Sequence, residues 1–199
     1  MYKLDKLPYE YDALEPYIDT HTLGLHHNKH QQNYLNKLNS LLIKNNYSFK
    51  YPIEDIPKHI EEFSLDDRKD ILFNFGGVVN HNIYFKSMSP KKEAPNKELL
   101  KKINMEYGSL DKFKKVFKDK ALSLKGSGYT FLVLENGDLN IMNLQNQDSP
   151  YNYKVVPLIG LDMWEHAYYL NYKNMKDVYI DNFFEVMDFS LANKIFNVV

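Results

Sequence analysis

The chain has 199 residues, with 25 basic and 26 acidic side chains and a formal net charge of −1, so the strongly basic domain of a general nucleic-acid binder is missing. Arg68 is the only arginine, which excludes phosphate or carboxylate clamps built from several guanidinium forks. Absence of cysteine removes disulfides, thiolate nucleophiles, iron–sulfur clusters and cysteine-based zinc sites, leaving His, carboxylate and amide groups to bind any metal. A 44% hydrophobic content with 16 Tyr and 12 Phe is enough for a sizeable core. The opening segment (MYKLDKLPYEYDALEPYID) lacks the apolar stretch of a signal peptide and no long apolar run follows, so a soluble cytoplasmic protein with no membrane partner is expected.

Thr20 and Thr22 can cap a helix running to about Asn45, because Leu23, His26, His30, Tyr34, Leu38 and Leu41 recur at helical spacing. Residues 47–57 carry two prolines and read as a loop, followed by a short amphipathic segment near His59 to Phe63. A second long helix opens at Ser64 or Asp66 and runs through Leu72, Phe75, Gly76, Gly77, Val78, Val79, His81 and Phe85 to about Met88. Residues 89–95 (SPKKEAP) form the strongest linker signal in the chain. Two lysine-rich amphipathic helices follow, over about 96–107 and 109–122. Strands are predicted at 129–134 and 139–144 around the Asn136-Gly137 turn, with a third at 154–161. A helix from Glu165 to about Tyr172 and a last one from Tyr179 to Phe196 complete an α+β chain, divided into a helical hairpin domain over 1–89 and an α+β domain with a three-stranded antiparallel sheet over 96–199.

Three features set some of the seven histidines apart. His26 and His30 lie one helical turn apart on an otherwise apolar face. His81 follows Gly76-Gly77-Val78-Val79-Asn80, and Asp162 stands four residues before His166, at the end of an apolar strand. A lone histidine on a helix face is more often a satisfied core or surface residue. His21 and His59 are therefore assigned no function, and His27, one step round from His26, should point elsewhere. Three imidazoles and one carboxylate together make a mixed N/O donor set suited to Mn, Fe or Zn and too rich in nitrogen for Mg or Ca.

Ordered blocks across nearly the whole chain resemble the iron/manganese superoxide dismutases: Leu7-Pro8-Tyr9, Tyr11 to Pro16, His26-His27-Asn28-Lys29-His30 to Tyr34, Asn80-His81, Gly126-Ser127-Gly128, Gln147 to Pro150, and Asp162-Met163-Trp164-Glu165-His166-Ala167-Tyr168-Tyr169. The resemblance implies redox cycling of one Mn or Fe ion per subunit, turning superoxide into oxygen and hydrogen peroxide. It makes His26, His81, Asp162 and His166 the protein ligands, two from each half of the chain, with solvent as a fifth. It gives Gln147 a hydrogen bond to that solvent, Tyr34 a bond to Gln147, and His30 a place in the substrate entry funnel. It also implies a homodimer, or a tetramer, in which Glu165 bonds to His166 of the second subunit and Tyr169 to its His30. Lys29 and Lys176 would steer the anionic substrate.

One branch of the family supplies the glutamine from the helix position that Gly77 holds here. Gly77 is expected to leave room that Gln147 fills, and Gly160 is likewise small, as in the Mn-using branch, so Mn is the expected metal with Fe next. The chain departs from the family in its aromatic cage, where Phe85, Tyr129 and Phe131 replace the usual tryptophans and leave Trp164 as the only one. Val78-Val79 and Lys176-Asp177 are further departures, the lysine keeping charge without the arginine fork. Two other readings compete: a silent metal-binding homologue, disfavoured by the presence of Tyr34 and Gln147, and a zinc hydrolase, disfavoured because no glutamate base lies near the motifs.

Overall fold

A computed structural model describes residues 1–196. The first long helix starts at Thr20, but Asp19 is its cap, its carboxylate accepting from the Thr22 N–H at 2.8 Å. α1 (Thr20–Leu25) runs into a π turn (His26–Gln31) and then α2 (Gln32–Lys44). At that turn the Gln32 N–H reaches the carbonyl of His27, five residues back. Such single-turn widenings are often found at functional sites. A 3-10 segment (Ile53–Glu62) leads to α3 (Leu65–Lys86), which packs antiparallel to α2 through Leu35, Leu38, Leu42, Ile71, Phe75, Val78 and Val79.

The second half comprises α4 (Lys97–Tyr107), α5 (Leu110–Leu122), β1 (Gly128–Glu135), β2 (Asp138–Gln145) and β3 (Val156–Asp162), then α6 (Tyr169–Tyr172), α7 (Lys176–Val186) and α8 (Ser190–Phe196). The sheet is antiparallel in the order β2-β1-β3. Asn136 (φ 52°) and Gly137 (φ 88°) both take the left-handed conformation that a tight two-residue hairpin needs. β1 is buried on both faces. Leu132 and Leu134 face the core built with Phe113, Phe117 and Phe183, whereas Tyr129, Phe131 and Val133 face Ile83 of α3. That second face is where the two halves of the chain meet.

The expected final helix from Tyr179 to Phe196 is in fact two. α7 begins earlier, at Lys176, and ends at Val186, and Met187 turns extended (φ −61°, ψ 125°) to pair with Met88. The break is held by the linker: Ser89 N–H donates to Val186, Asp188 N–H to Ser87 and Phe189 N–H to Glu93, at 2.9, 2.9 and 3.1 Å. The carboxylate of Asp188, 4% exposed, accepts from the Glu93 N–H at 2.6 Å. The linker is thus pinned along its length to the C-terminal helices. The expected helix after Trp164 is a 3-10 turn (Glu165–Ala167) followed by the single turn of α6. No helix among the described residues is long and apolar enough to cross a membrane.

Candidate metal centre

His26 sits at the start of the π turn, His81 in the inner half of α3, Asp162 at the last residue of β3 and His166 on the 3-10 turn after it. The four converge: one donor atom from each lies within 4.8 Å of all the others. Asp162 Oδ2 stands 3.0 Å from His26 Nε2, 3.5 Å from His166 Nε2 and 3.7 Å from His81 Nε2. His26, His81 and Asp162 are buried, and the His166 side chain is 13% exposed.

Each donor is aimed by a second contact. His81 Nδ1 donates to the Gly77 carbonyl one turn back, which leaves Nε2 unprotonated and directed at the cluster. Asp162 Oδ1 accepts from the Trp164 N–H at 2.8 Å, and the Asp162 carbonyl accepts from the Tyr179 hydroxyl at 2.9 Å. His166 is sandwiched between His30 (ring centroids 4.2 Å, nearly parallel) and Trp164 (5.5 Å). Phe85 and Tyr84 lie 5.1 and 5.3 Å from His26, and Tyr129 lies 5.9 Å from His81.

Burial keeps the His26 and His81 imidazoles neutral. It lowers His26 from 6.5 to about 4, against the opposing pull of Asp162, and holds His81 well below the ordinary value. Burial alone would raise Asp162, but the nearby His166 and His26 imidazoles outweigh that and hold the carboxyl well below the usual carboxylate range. Neutral His26 and His81 beside an ionised Asp162 are in the protonation state a metal requires. His166 Nε2 is buried with no hydrogen-bond partner, an uncompensated lone pair aimed into the cluster. Donor chemistry, spacing and this orphaned atom all fit a bound transition-metal ion.

Around the cluster, Gln147 Nε2 donates to the Tyr34 hydroxyl at 3.2 Å, and burial raises the Tyr34 pKa, with Gln147 opposing. The space that Gly77 leaves is filled differently from the expectation. A Cβ there would lie 2.3 Å from Tyr34 Cγ, so the Tyr34 ring occupies it, while the Gln147 carbonyl fills the space beside Gly76, 1.7 Å from where a Cβ would be. Both glycines are required by close approach, one by a ring and one by a backbone. Asn80 completes the attachment, its side-chain N–H donating to the Asp148 carbonyl at 2.9 Å. At Gly160 a Cβ would lie 2.8 Å from Ile83 and 3.0 Å from Phe131, so this small residue admits the Phe131 ring, its cross-strand partner.

Other sequence-level expectations can be placed as well. His27 points away, its Nδ1 2.8 Å from the Tyr11 hydroxyl and its Nε2 2.8 Å from the Asp5 carbonyl, anchoring the N-terminal segment. His59 pairs with Glu62 at 2.7 Å and stacks on Tyr51, far from the cluster in the fold. His30, Lys29, Glu165 and Tyr169 are exposed. Lys176 Nζ lies 5.9 Å above the Tyr168 ring. The roles of Tyr179 and Gly76 had no signal in the sequence beyond residue type, whereas Asn80 stands directly beside His81.

These features define a metal-dependent α+β protein whose single mixed His/Asp centre lies between a helical hairpin and a sheet. The family model for the iron/manganese superoxide dismutase alpha-hairpin domain matches residues 1–89, and that for the C-terminal domain of the same enzymes matches 95–195. A curated relative from Buchnera aphidicola subsp. Acyrthosiphon pisum (strain APS), named "Superoxide dismutase [Mn]", is 40% identical over 198 residues, covering 96% of this chain and 97% of that protein. The chain belongs to the iron/manganese superoxide dismutase family. Its activity is the conversion of superoxide to oxygen and hydrogen peroxide, an oxidoreductase reaction that uses one metal ion.

Proposed function

We propose that His26, His81, Asp162 and His166 hold one manganese ion in each subunit, with iron the alternative these ligands also admit. The observation that carries this reading is the buried cluster itself, with neutral His26 and His81 and the unpartnered His166 Nε2. When bound, the ion supplies one-electron redox chemistry, in which one superoxide is oxidised and the next reduced. The chain's own residues supply position and protons. Tyr34 Oη, kept protonated by burial, holds a proton at the half-buried edge of the site, and Gln147 fixes that hydroxyl through its amide. His30, stacked on His166, lines the approach, and Lys29 and Lys176 place positive charge around it for a small anion.

Manganese is favoured by the origin of the glutamine. With the Tyr34 ring filling the space at Gly77, a side chain cannot come from that helix position, and Gln147 reaches the site from the loop after β2. The relative named as a manganese enzyme supports the same choice. The exposed residues His30, Glu165, Tyr169 and Leu170 surround the half-buried His166, a face suited to a homodimer in which Glu165 orients the partner's His166 and Tyr169 meets the partner's His30. The cysteine-free composition suits a reducing cytoplasm. The test is activity of matched, fully Mn-loaded and Fe-loaded protein. The Mn form should be the more active, and an Fe form several-fold more active would overturn the metal assignment.

A further inference from the structure

Gln147 reaches Tyr34 from the loop joining β2 to β3, over residues 146–155, so the bond between them is only as well placed as that loop. On its inner side the loop is held by the rest of the fold. The Asn146 N–H donates to the Ser127 carbonyl at 2.8 Å, the Trp164 indole N–H to the Asn146 carbonyl at 3.0 Å, and the Asn80 side-chain N–H to the Asp148 carbonyl at 2.9 Å. On its outer side one carboxylate gathers the chain that follows. Asp148 Oδ1 accepts from the Ser149 N–H at 2.9 Å and from the Asn152 side-chain N–H at 2.7 Å, and Oδ2 accepts from the Tyr153 hydroxyl. Bonds donated to a carboxylate are shorter and stronger than bonds donated to a neutral oxygen. Tyr153 is 52% exposed, so burial does not force its hydroxyl to find a protein partner. Its closure on Asp148 belongs to the loop and not to core packing.

We propose that Asp148, Asn152 and Tyr153 form a clamp that positions Gln147 for its bond to Tyr34. The inference rests on the reading of Gln147 and Tyr34 above and deepens it. Asp148 directly follows Gln147, so tying its side chain to residues 149, 152 and 153 fixes the peptide from which the Gln147 side chain leaves. The Gln147 backbone cannot shift inward, because its carbonyl is already pressed on α3 at Gly76, 1.7 Å from where a Cβ would lie. The free direction is outward, toward the Pro150–Tyr153 turn that the carboxylate holds down. Without the clamp the loop moves away from α3, and the 3.2 Å bond from Gln147 Nε2 to the Tyr34 hydroxyl lengthens. The three clamp residues act through Gln147 alone and are positioning residues.

The test is a set of double-mutant cycles read as kcat per bound metal, together with crystal structures of the metal-loaded variants. Asp148→Ala and Tyr153→Phe are each made in the parent and in Gln147→Ala. Asp148→Asn is the conservative variant: its amide oxygen still accepts from Ser149 and Asn152, and its N–H donates to the Tyr153 oxygen. Asp148→Ala should lower kcat at least about threefold and Tyr153→Phe about twofold, while Asp148→Asn stays within about twofold of the parent. In the Gln147→Ala background neither substitution should lower kcat further, because nothing is left to position. The Asp148→Ala structure should show Gln147 Nε2 and the Tyr34 hydroxyl more than about 3.5 Å apart. Equal losses in both backgrounds, an undisplaced Gln147, or parent kcat in Asp148→Ala with metal retained would overturn the proposal. If Asp148→Ala fails to fold or to bind metal, Tyr153→Phe decides, since it removes only a hydroxyl from an exposed side chain. Parent kcat there, or a loss that persists in Gln147→Ala, refutes the clamp. Gln147→Ala as active as the parent would instead refute the reading on which the inference rests.

Discussion

Three glycines in helices should respond to alanine in three different ways, because their surroundings differ while the backbone change is the same. In a helix interior alanine is favoured over glycine by about 1 kcal/mol. At Gly24 nothing lies within 4 Å of a Cβ, so Gly24→Ala should keep most of that gain and raise the melting temperature by about 2–4 °C for a chain of this size. At Gly77 the new carbon would meet the Tyr34 ring at 2.3–2.8 Å. Overpacking costs about 1–3 kcal/mol, but Tyr34 is only half-buried and can swing outward. Gly77→Ala should therefore melt near the parent or up to about 2 kcal/mol below it, while activity drops because the 3.2 Å bond from Gln147 to Tyr34 is broken. At Gly76 the obstacle is backbone, the Gln147 carbonyl at 1.7 Å, and the loop must move as a unit. Gly76→Ala should lose about 2 kcal/mol or more net of the helix gain, a fall of roughly 4–8 °C. Differential scanning calorimetry on equally metal-loaded samples gives the order Gly24→Ala, parent, Gly77→Ala, Gly76→Ala. A Gly76→Ala protein as stable as its parent would refute the close approach of the loop.

His81→Ala should lose metal and activity together, because it removes one of the four donors and leaves only His26, Asp162 and His166 to hold the ion; metal analysis showing full occupancy with full activity would end that assignment. The metal-free protein should weaken in acid. The unfolded chain takes up protons near 6.5 that folded His26 refuses until about 4, so stability fully present above 6.5 is lost as pH falls towards 4, by about 3 kcal/mol from this group alone. His81 acts in the same direction, and urea midpoints that stay level between neutral pH and 4.5 would contradict the burial of both. Lys176→Ala should lower activity and flatten its decline with salt, as steering by surface charge requires. A salt profile matching the parent would place the steering charge elsewhere.

How far this was legible in the sequence depends on whether the deciding interactions are local. The Asn136-Gly137 hairpin was readable because its two left-handed residues are a chain-neighbour requirement. Asp162 and His166 were readable for the same reason, as a strand-end carboxylate with a histidine one turn later. The break at Met187 was not, although Asp188 and Ser190 are capping residue types, because the bonds that hold it come from residues 87–93, about a hundred positions earlier. The occupant of Gly77's space was misread for a related reason. A glycine shows that something approaches closely, and only the packing of α2 on α3 decides that it is the Tyr34 ring.

The four donors differ in how firmly they are held, and the difference shows where the centre opens. His81 is on a 22-residue helix, Asp162 ends a paired strand and His26 lies inside the continuous first helix, all of them buried. His166 sits on a three-residue turn, keeps 13% of its side chain exposed and has the one cluster nitrogen left without a partner. A metal ion therefore meets three donors already set by core packing and a fourth held on its outer side by the His30 and Trp164 rings. Those rings lie toward the exposed face carrying Glu165 and Tyr169, so the least constrained ligand is also the one nearest solvent. Covering this face with a second subunit would confine His166 without disturbing the three buried donors.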